Sequence, residues 1–329
     1  MTTRTNFHFV SLDTMGIPPF DMSKLPFDVL PQIEIADVSA LLPPSLFAHM
    51  KDEVGRHRMY YLESTRKFAL KHQYEVETPF GVTSITPEPA ETLADSLMNL
   101  VYACLKLIRP TREQGGVRAE VGQDGKIGVR SVSFADGRLD LPVGERLYAL
   151  RNKDLDLLRA VIQPFLKTMQ GEYWPFRMAV EYYDRGYAVN DGKARYLYWG
   201  SSAVHALYSS QNEKITRRVK AFLGADTLIY DPADRPDFEF LQPSSLTIGD
   251  VIEDINEVRN CVAHGRRIPN KFFNTKRKCL NGDVTLIQVL EDALGFIIRE
   301  TLLRIIKNNL IEHFKTEHDV SVYWKSSGS

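Results

Sequence analysis

The sequence has little cysteine and no long apolar run, and both shortages exclude whole classes of protein. Its three cysteines, Cys104, Cys261 and Cys279, lie far apart and form no CxxC pair, which argues against a disulfide framework or a cysteine zinc site. No apolar run approaches the ~20 residues that a membrane span needs. The first residues, MTTRTNFHFVSLDTMGIPPF, hold no basic segment followed by an apolar one. We therefore expect a cytoplasmic protein without a membrane partner.

Charge of one sign is not in excess either, since the 329 residues sum to a net charge of −1. The chain as a whole is therefore not a generic polyanion binder, and any contact with nucleic acid requires a local basic patch. Three motifs of cofactor, metal and serine chemistry are also missing, namely a GK[ST] phosphate loop, HExxH and GxSxG. We expect no cofactor and no metal site.

What is present is the composition of a globular protein, with 43% hydrophobic and 25% charged residues. The patterns predict a mainly α fold in two parts. Residues 1–165 form an N-terminal α+β region of unknown role, with a β-hairpin turning at Asp124-Gly125 between GVRAEV and KIGVRSVSF. A helix in this region starts at Thr86 and Pro87, carries an apolar stripe from Leu93 to Ile108, and ends before Pro110.

Residues 166–318 form a predicted helical domain, and residues 319–329 a flexible tail. The last helix is expected to run from about Asp283 to Phe314. An earlier helix begins at Thr247, where Asp250 three positions later makes a capping-box pattern.

The helix after Thr247 ends in the most informative stretch, INEVRNCVAHGRRIPNKFF. At about 100° per residue its buried stripe and its outer face separate clearly, with Asn260 and His264 one turn apart on the outer face and Arg259 on the flank. Gly265 is the residue expected to close the helix. A second match to the loose pattern Arg-x4-6-His occurs at Arg66 to His72, so spacing alone is not specific. The context favours Arg259, because Asn260, a helix end, Gly265 and positive charge accompany it. The buried stripe of this helix consists of Val251, Ile255, Val258 and Val262.

A basic segment, residues 266–278, follows His264 directly. It contains no acidic residue, and two phenylalanines lie within it. Basic residues interleaved with aromatic ones suit a surface that follows the RNA backbone and stacks single-stranded bases. The predicted RNA-binding residues are Arg266, Arg267, Lys271, Phe272, Lys276, Arg277 and Lys278.

At this point the sequence resembles a family. VRNCVAHG is similar to the Arg-Asn-x-x-x-His signature of HEPN domains, which are all-α modules found in RNA-cleaving proteins. YLYWGSSAVHALYSSQNEKITRRVKAFLG resembles the helices that precede this signature in the Apea-like HEPN subgroup, although His205 stands where glutamate is common there. The long final helix fits the same pattern. The resemblance covers residues 170–314.

The resemblance implies a C-terminal HEPN-type helical bundle and a metal-independent endoribonuclease that works as a homodimer. His264 would be the acid/base group, Arg259 would stabilise charge at the scissile phosphate, and Asn260 would orient one of them. The implied partners are RNA, either tRNA or another single-stranded RNA, and a regulator or antitoxin. Relatives often serve in phage defence or as toxins.

Other readings remain open. His264 could simply end its helix, the basic segment could be a solvated loop, and Phe272 and Phe273 could anchor that loop to the core. Many HEPN domains also keep the fold without nuclease activity, so the alternative function is a non-catalytic RNA-binding or protein-interaction module.

Overall fold

The computed structural model describes residues 4–11, 25–48, 69–76, 89–109, 116–121, 126–133, 152–189, 191–208, 212–229, 246–279 and 282–326. Contacts divide the chain into two compact units, and the last change from the first unit to the second falls between Ile162 and Gln163. The predicted boundary lies at residue 165. The chain is mostly helical, with its main sheet in the N-terminal part.

The first unit is an α+β structure built on a six-stranded antiparallel sheet with strand order β2-β3-β4-β1-β5-β6. Strands β5 and β6 pair as the predicted hairpin, although Asp124 and Gly125 themselves lie outside the described residues. The predicted helix start at Thr86 and Pro87 lies outside them too. The elements are β1 (Arg4–Ser11), β2 (Phe27–Leu30), β3 (Ile33–Ala36), β4 (Ala69–Val76), α1 (Pro89–Ile108), β5 (Gly116–Val121), β6 (Ile127–Ser133) and the start of α2 (Asn152–Gln170).

The two faces of this sheet differ in polarity. Phe9 belongs to an apolar cluster on one face, whereas His8 and His72 lie opposite each other on the other face, because side chains alternate along a strand. On that face, Asp95 of α1 lies 3.3 Å from His8 Nδ1 and pairs with Arg118 at 2.5 Å. Helix α1 is therefore held to the sheet partly by ion pairs.

Helix α1 confirms the predicted helix but only part of its apolar stripe. Val101, Cys104 and Leu105 are buried, whereas Leu93, at the start of the stripe, is 70% exposed. Burial also raises the pKa of the Cys104 thiol well above its ordinary value, so this cysteine is a core residue.

The second unit is a helical assembly with a small hairpin, and it also contains the end of α2. A π-helical segment, Leu197–Ala203, connects two short helices without a break. The other elements are α3 (Trp174–Ala188), α4 (Gly192–Tyr196), α5 (Val204–Tyr208), α6 (Asn212–Leu223), α7 (Ile248–Ala263), α8 (Lys271–Asn274), β7 (Lys276–Cys279), β8 (Gly282–Thr285), α9 (Leu286–Lys307), a 3-10 turn (Ile311–Phe314) and α10 (Glu317–Ser326).

The C-terminal end differs from the sequence-based expectation in three ways. The last long helix ends at Lys307 and not at about Phe314, and residues 311–314 form a separate 3-10 turn. The last long helix begins at Leu286 and not at Asp283, because residues 282–285 pair with β7 and Thr285 forms a capping box with Gln288. The predicted flexible tail is wrong for the residues that the structure describes. They form α10, in which Trp324 is buried and donates its indole N–H to the carbonyl of Leu207 at 2.9 Å.

Trp199 of the π-helical segment lies at the centre of the second unit. Its indole N–H donates to the carbonyl oxygen of Tyr183 at 2.9 Å. Two glycines make room for the ring: a methyl carbon added to Gly186 would lie 1.9 Å from the indole nitrogen, and one added to Gly295 would lie 3.0 Å from the ring. Close approach of α3 and α9 to this indole therefore requires glycine at both positions.

None of the helices in the described ranges combines the length and apolarity that crossing a membrane requires.

Candidate functional site

Helix α7 carries the candidate site, and both of its ends are fixed by local sequence. At its start the Thr247 hydroxyl accepts a bond from the backbone N–H of Asp250, while the Asp250 carboxylate accepts one from the backbone N–H of Thr247, which confirms the predicted capping box. At its end His264 is the C-cap residue, and Gly265 follows with φ +62°. The capping residues therefore determine where the helix begins and where it ends.

The turn after α7 is a Schellman motif, which explains how His264 is presented. The N–H of Arg266 donates to the carbonyl of Cys261 at 2.7 Å, and that of Gly265 donates to the carbonyl of Val262 at 3.2 Å. The left-handed conformation at Gly265 makes both bonds possible. The side chain of His264 is left exposed at the tip of the helix.

The predicted faces of α7 agree with the structure except at Arg259 and at Val262, a residue of the predicted buried stripe that is only half-buried. Val251, Ile255 and Val258 are buried in the core, and His264 is exposed with half-buried Asn260 one turn before it. Residues four apart on a helix are neighbours, so the Asn260 amide can reach the same space as the His264 imidazole.

Arg259 is only 7% exposed and is part of the packed interior, not of the flank. Its aliphatic stem packs against Gly200 of the π-helical segment, where an added methyl carbon would lie 3.1 Å from Cγ of Arg259. Its Nη1 donates to the side-chain oxygen of Asn256 at 3.1 Å. Burial lowers the pKa of the guanidinium, which nevertheless stays charged near neutral pH.

In one copy of the chain, helix geometry separates the backbone positions of Arg259 and His264. They are five residues apart, which places them about 140° apart around the helix and about 7.5 Å along it. The hydrogen bond to Asn256 draws the guanidinium toward the start of the helix, away from His264. A site that uses both groups on one phosphate therefore needs either a movement of Arg259 or a second copy of α7.

The first part of the basic segment follows the Schellman turn and is exposed. Arg266 and Arg267 both face solvent beside His264, and Arg267 donates to the side-chain oxygen of Asn270 at 3.2 Å. Lys271 instead turns back onto α7, where its ammonium lies 2.8 Å from Glu257 and 3.5 Å from Asp254. The hydrogen bond to Glu257 raises the pKa of Lys271.

The two phenylalanines of the basic segment have opposite environments. Phe272 is fully buried, so the prediction that it contacts RNA is corrected: its ring anchors α8 to the core. Phe273 is 44% exposed and is the ring of this pair that faces solvent.

The last part of the basic segment forms strand β7 of the small hairpin. Lys276 is exposed and lies 4.0 Å from Asp283 of β8, and the side chain of Arg277 is half-buried. The side chain of Lys278 lies outside the described part of the structure. The segment therefore combines exposed cations with cations that already have acidic partners.

The second match to the Arg-x4-6-His pattern is structural in its surroundings. His72, from this second match, is buried in strand β4, where burial lowers its pKa, and Arg66 lies outside the described residues. His205 is exposed on α5. Across the described residues, no three metal-ligating side chains cluster together.

Two features around Arg259 were not predicted from the sequence. These are the partner amide of Asn256 and the close packing of Gly200, which depends on the π-helical segment. A Gly-Ser-Ser run inside a helical pattern is the only local signal for such a segment, and it is weak.

Comparison with protein-family models, with curated proteins and with solved structures finds no match to this chain.

Proposed function

We propose that the second unit is a HEPN-type, metal-independent endoribonuclease that cleaves single-stranded RNA, tRNA included. In the cell it would serve in phage defence or as a toxin-like enzyme under the control of a regulator or antitoxin. His264 is the acid/base group, Asn260 orients it or the RNA, and Arg259 is the candidate for stabilising charge.

The observation that carries the proposal is the end of α7. A Schellman turn there presents the exposed His264 next to the Asn260 amide and the exposed Arg266 and Arg267. An exposed imidazole thus lies beside cations that can hold a phosphate. Phe273 adds an exposed ring on the same segment that a base can stack on.

The chemistry needs only groups of this kind, because RNA carries its own nucleophile. His264 accepts the proton of a 2′-hydroxyl as its oxygen attacks the adjacent phosphorus, and the P–O5′ bond breaks. The departing 5′-oxygen takes up a proton from the protonated His264 or from water, which leaves a 2′,3′-cyclic phosphate and a 5′-hydroxyl. A guanidinium next to the phosphorane oxygens stabilises their developing charge.

A homodimer fits this scheme because Arg259 and His264 lie apart in one copy. Two α7 helices related by a twofold axis can place His264 of one copy opposite Arg259 of the other. In the dimer the site is then composite, and each copy supplies one half.

The test is cleavage of end-labelled tRNA and total RNA by purified protein in EDTA. Wild type is expected to cleave and leave 2′,3′-cyclic phosphate or 3′-phosphate ends. His264→Ala is expected to lose at least about a hundred-fold in rate, because general acid–base catalysis contributes that much. His318→Ala removes an exposed histidine of α10 and is the matched control, with activity unchanged. Equal cleavage by His264→Ala, with the fold intact by circular dichroism, would contradict the assignment.

The second candidate is a non-catalytic RNA-binding or protein-interaction module on the same fold. It is favoured because two of the predicted site cations already have partners within the chain. Arg259 donates a hydrogen bond to Asn256. Lys271 forms ion pairs with Glu257 and Asp254. It predicts no cleavage by wild type in the same assay. Retained RNA binding that weakens in Arg266→Ala/Arg267→Ala would then identify the RNA-binding form of this alternative.

A further inference from the structure

The second unit contains a pocket whose lining residues are distant from His264 in the sequence. It lies between the start of α3, the π-helical segment with α5, and the start of α10, and its volume is about 290 Å³. This is at the small end of the ~300–1,000 Å³ typical of ligand sites, and it fits a ligand of one or two fused rings. Its principal lining residues are Trp174, Met178, Tyr182, Ser202, His205 and Glu317.

The apolar part of the pocket offers flat surfaces. Trp174 is 55% exposed, although it is the first residue of a well-formed helix. Tyr182 is held in place by stacking on Tyr198, with ring centroids 6.0 Å apart, and by the Arg185 guanidinium 5.7 Å from its centroid. A planar ring bound here would stack on the exposed indole of Trp174 and contact the ring of Tyr182, whose position is already fixed.

The polar part of the pocket is rich in hydrogen-bond acceptors. Glu317 is exposed and, as a carboxylate, can only accept. The Ser202 hydroxyl donates its proton to the carbonyl of Leu197 at 3.2 Å, which leaves its lone pairs for a donor on a ligand. His205 is exposed and can take either role. The ligand should therefore be a donor of several N–H bonds.

Charge excludes a phosphate as the main anchor. The described lining contains no lysine or arginine and does contain the carboxylate of Glu317. A free phosphate, or a nucleotide held by its phosphate, would meet a negative group with no compensating cation in the lining.

We infer that this pocket binds a planar nitrogen heterocycle with two adjacent N–H donors, the pattern of the guanine base. Guanine presents its ring N–H and its exocyclic amino group side by side, and one carboxylate accepts both bonds. The carboxylate of Glu317 accepts both hydrogen bonds from this edge of the base, and Trp174 stacks on the ring. The side of the base that carries the ribose points to solvent. The site uses none of the residues of α7, so it does not depend on the proposed nuclease activity.

The probe is guanosine, titrated into the full-length protein by calorimetry, with adenosine and guanosine monophosphate as comparators. Guanosine should bind saturably and at least about ten-fold more tightly than adenosine, since adenine offers one donor where guanine offers two. Guanosine monophosphate should bind no more tightly than guanosine. Absence of saturable guanosine binding, equal affinity for adenosine, or clearly tighter binding of the monophosphate would each overturn the inference.

Variants locate the binding and separate it from RNA recognition. Glu317→Gln and Trp174→Ala are each expected to weaken guanosine binding at least about ten-fold. Glu172→Gln, a highly exposed carboxylate on the loop before α3, and Phe273→Ala, an exposed ring on the basic segment, are matched controls that should bind normally. His264→Ala should bind guanosine normally even if it loses cleavage. Loss of binding in Phe273→Ala or His264→Ala, with Trp174→Ala unaffected, would move the guanosine to the end of α7 and refute the pocket.

Discussion

Trp199 shows how one buried side chain decides the packing of several helices. The indole is fully buried, donates its N–H to the α3 backbone at Tyr183, and fills the space left by Gly186 and Gly295. Tyr187 meets it edge-on with ring centroids 5.0 Å apart. Protein interiors are close-packed, so none of these partners can grow without displacing the ring.

Gly186→Ala should therefore destabilise the second unit. The added carbon would lie 1.9 Å from the indole nitrogen, and the ring is enclosed on several sides. Overpacking of this kind costs about 1–3 kcal/mol, and a shift of Trp199 would add the loss of its hydrogen bond to Tyr183. Urea unfolding followed by tryptophan emission measures the change.

Gly192→Ala is the matched control for this substitution. Its added carbon would lie 3.4 Å from the Glu291 carboxylate, an ordinary contact, so its stability should stay within about 1 kcal/mol of wild type. Stability of Gly186→Ala equal to or above that of wild type would show that the helix propensity of alanine, and not the packing around Trp199, controls the result.

Arg259 marks the limit of residue-level prediction. Helical geometry placed it on the flank of its helix, between the buried stripe and the outer face. The structure buries its stem against Gly200 and gives its guanidinium the Asn256 amide. The packing against Gly200 comes from a different element, so periodicity within α7 could not predict it, whereas Asn256 lies three positions earlier on α7 itself.

At the scale of elements, the features set by neighbours in sequence were predicted and those set by distant partners were not. The capping box, the helix of the candidate site and the β5–β6 hairpin all depend on residues a few positions apart. The start of α9 was misplaced because strand pairing with β7 competes for residues 282–285. The tail was misjudged because α10 is stabilised by burial of Trp324 against Tyr208 and Phe222. The six-stranded sheet needs pairings across more than sixty residues, which local patterns do not encode.

The capping box of α7 should make a small contribution to stability that depends on pH. Hydrogen bonds from the backbone N–H and hydroxyl of Thr247 hold the pKa of Asp250 below its ordinary value of 3.8. A carboxyl with a lowered folded pKa stabilises the fold above its ordinary value, and this contribution is lost as pH falls through the lowered pKa. Asp250→Ala should therefore cost roughly 0.5–1 kcal/mol at neutral pH and less below pH 3.8.

Denaturant midpoints of wild type and Asp250→Ala across this acid range test the expectation. Asp250→Asn keeps an acceptor oxygen for the N–H of Thr247, so it should lose less stability at neutral pH. A deficit of Asp250→Ala that is constant across the range would mean that the carboxylate does not ionise differently in the folded cap.

At the scale of the whole molecule, the separation of Arg259 from His264 decides how many copies build an active site. If one copy sufficed, Arg259 would have to leave Asn256 and the packing against Gly200, and a buried guanidinium that loses its partners is costly. A second copy of α7 removes the need for Arg259 to reach along its own helix, although the buried guanidinium must still turn outward to meet the partner's His264. The dimer therefore requires the smaller rearrangement for the proposed chemistry.

Mixing two inactive variants tests this composite site. Arg259→Gln and His264→Ala should each be inactive alone, whereas an equal mixture that exchanges subunits should recover about a quarter of wild-type cleavage. Half of its dimers would be mixed, and each mixed dimer would contain one site with both groups intact. Restoration should follow the mixing ratio in an RNA cleavage assay, and energy transfer between two differently labelled copies reports subunit exchange. If the mixture is no more active than its components while exchange proceeds, both groups must act within one copy, and Arg259 must then leave Asn256 during the reaction.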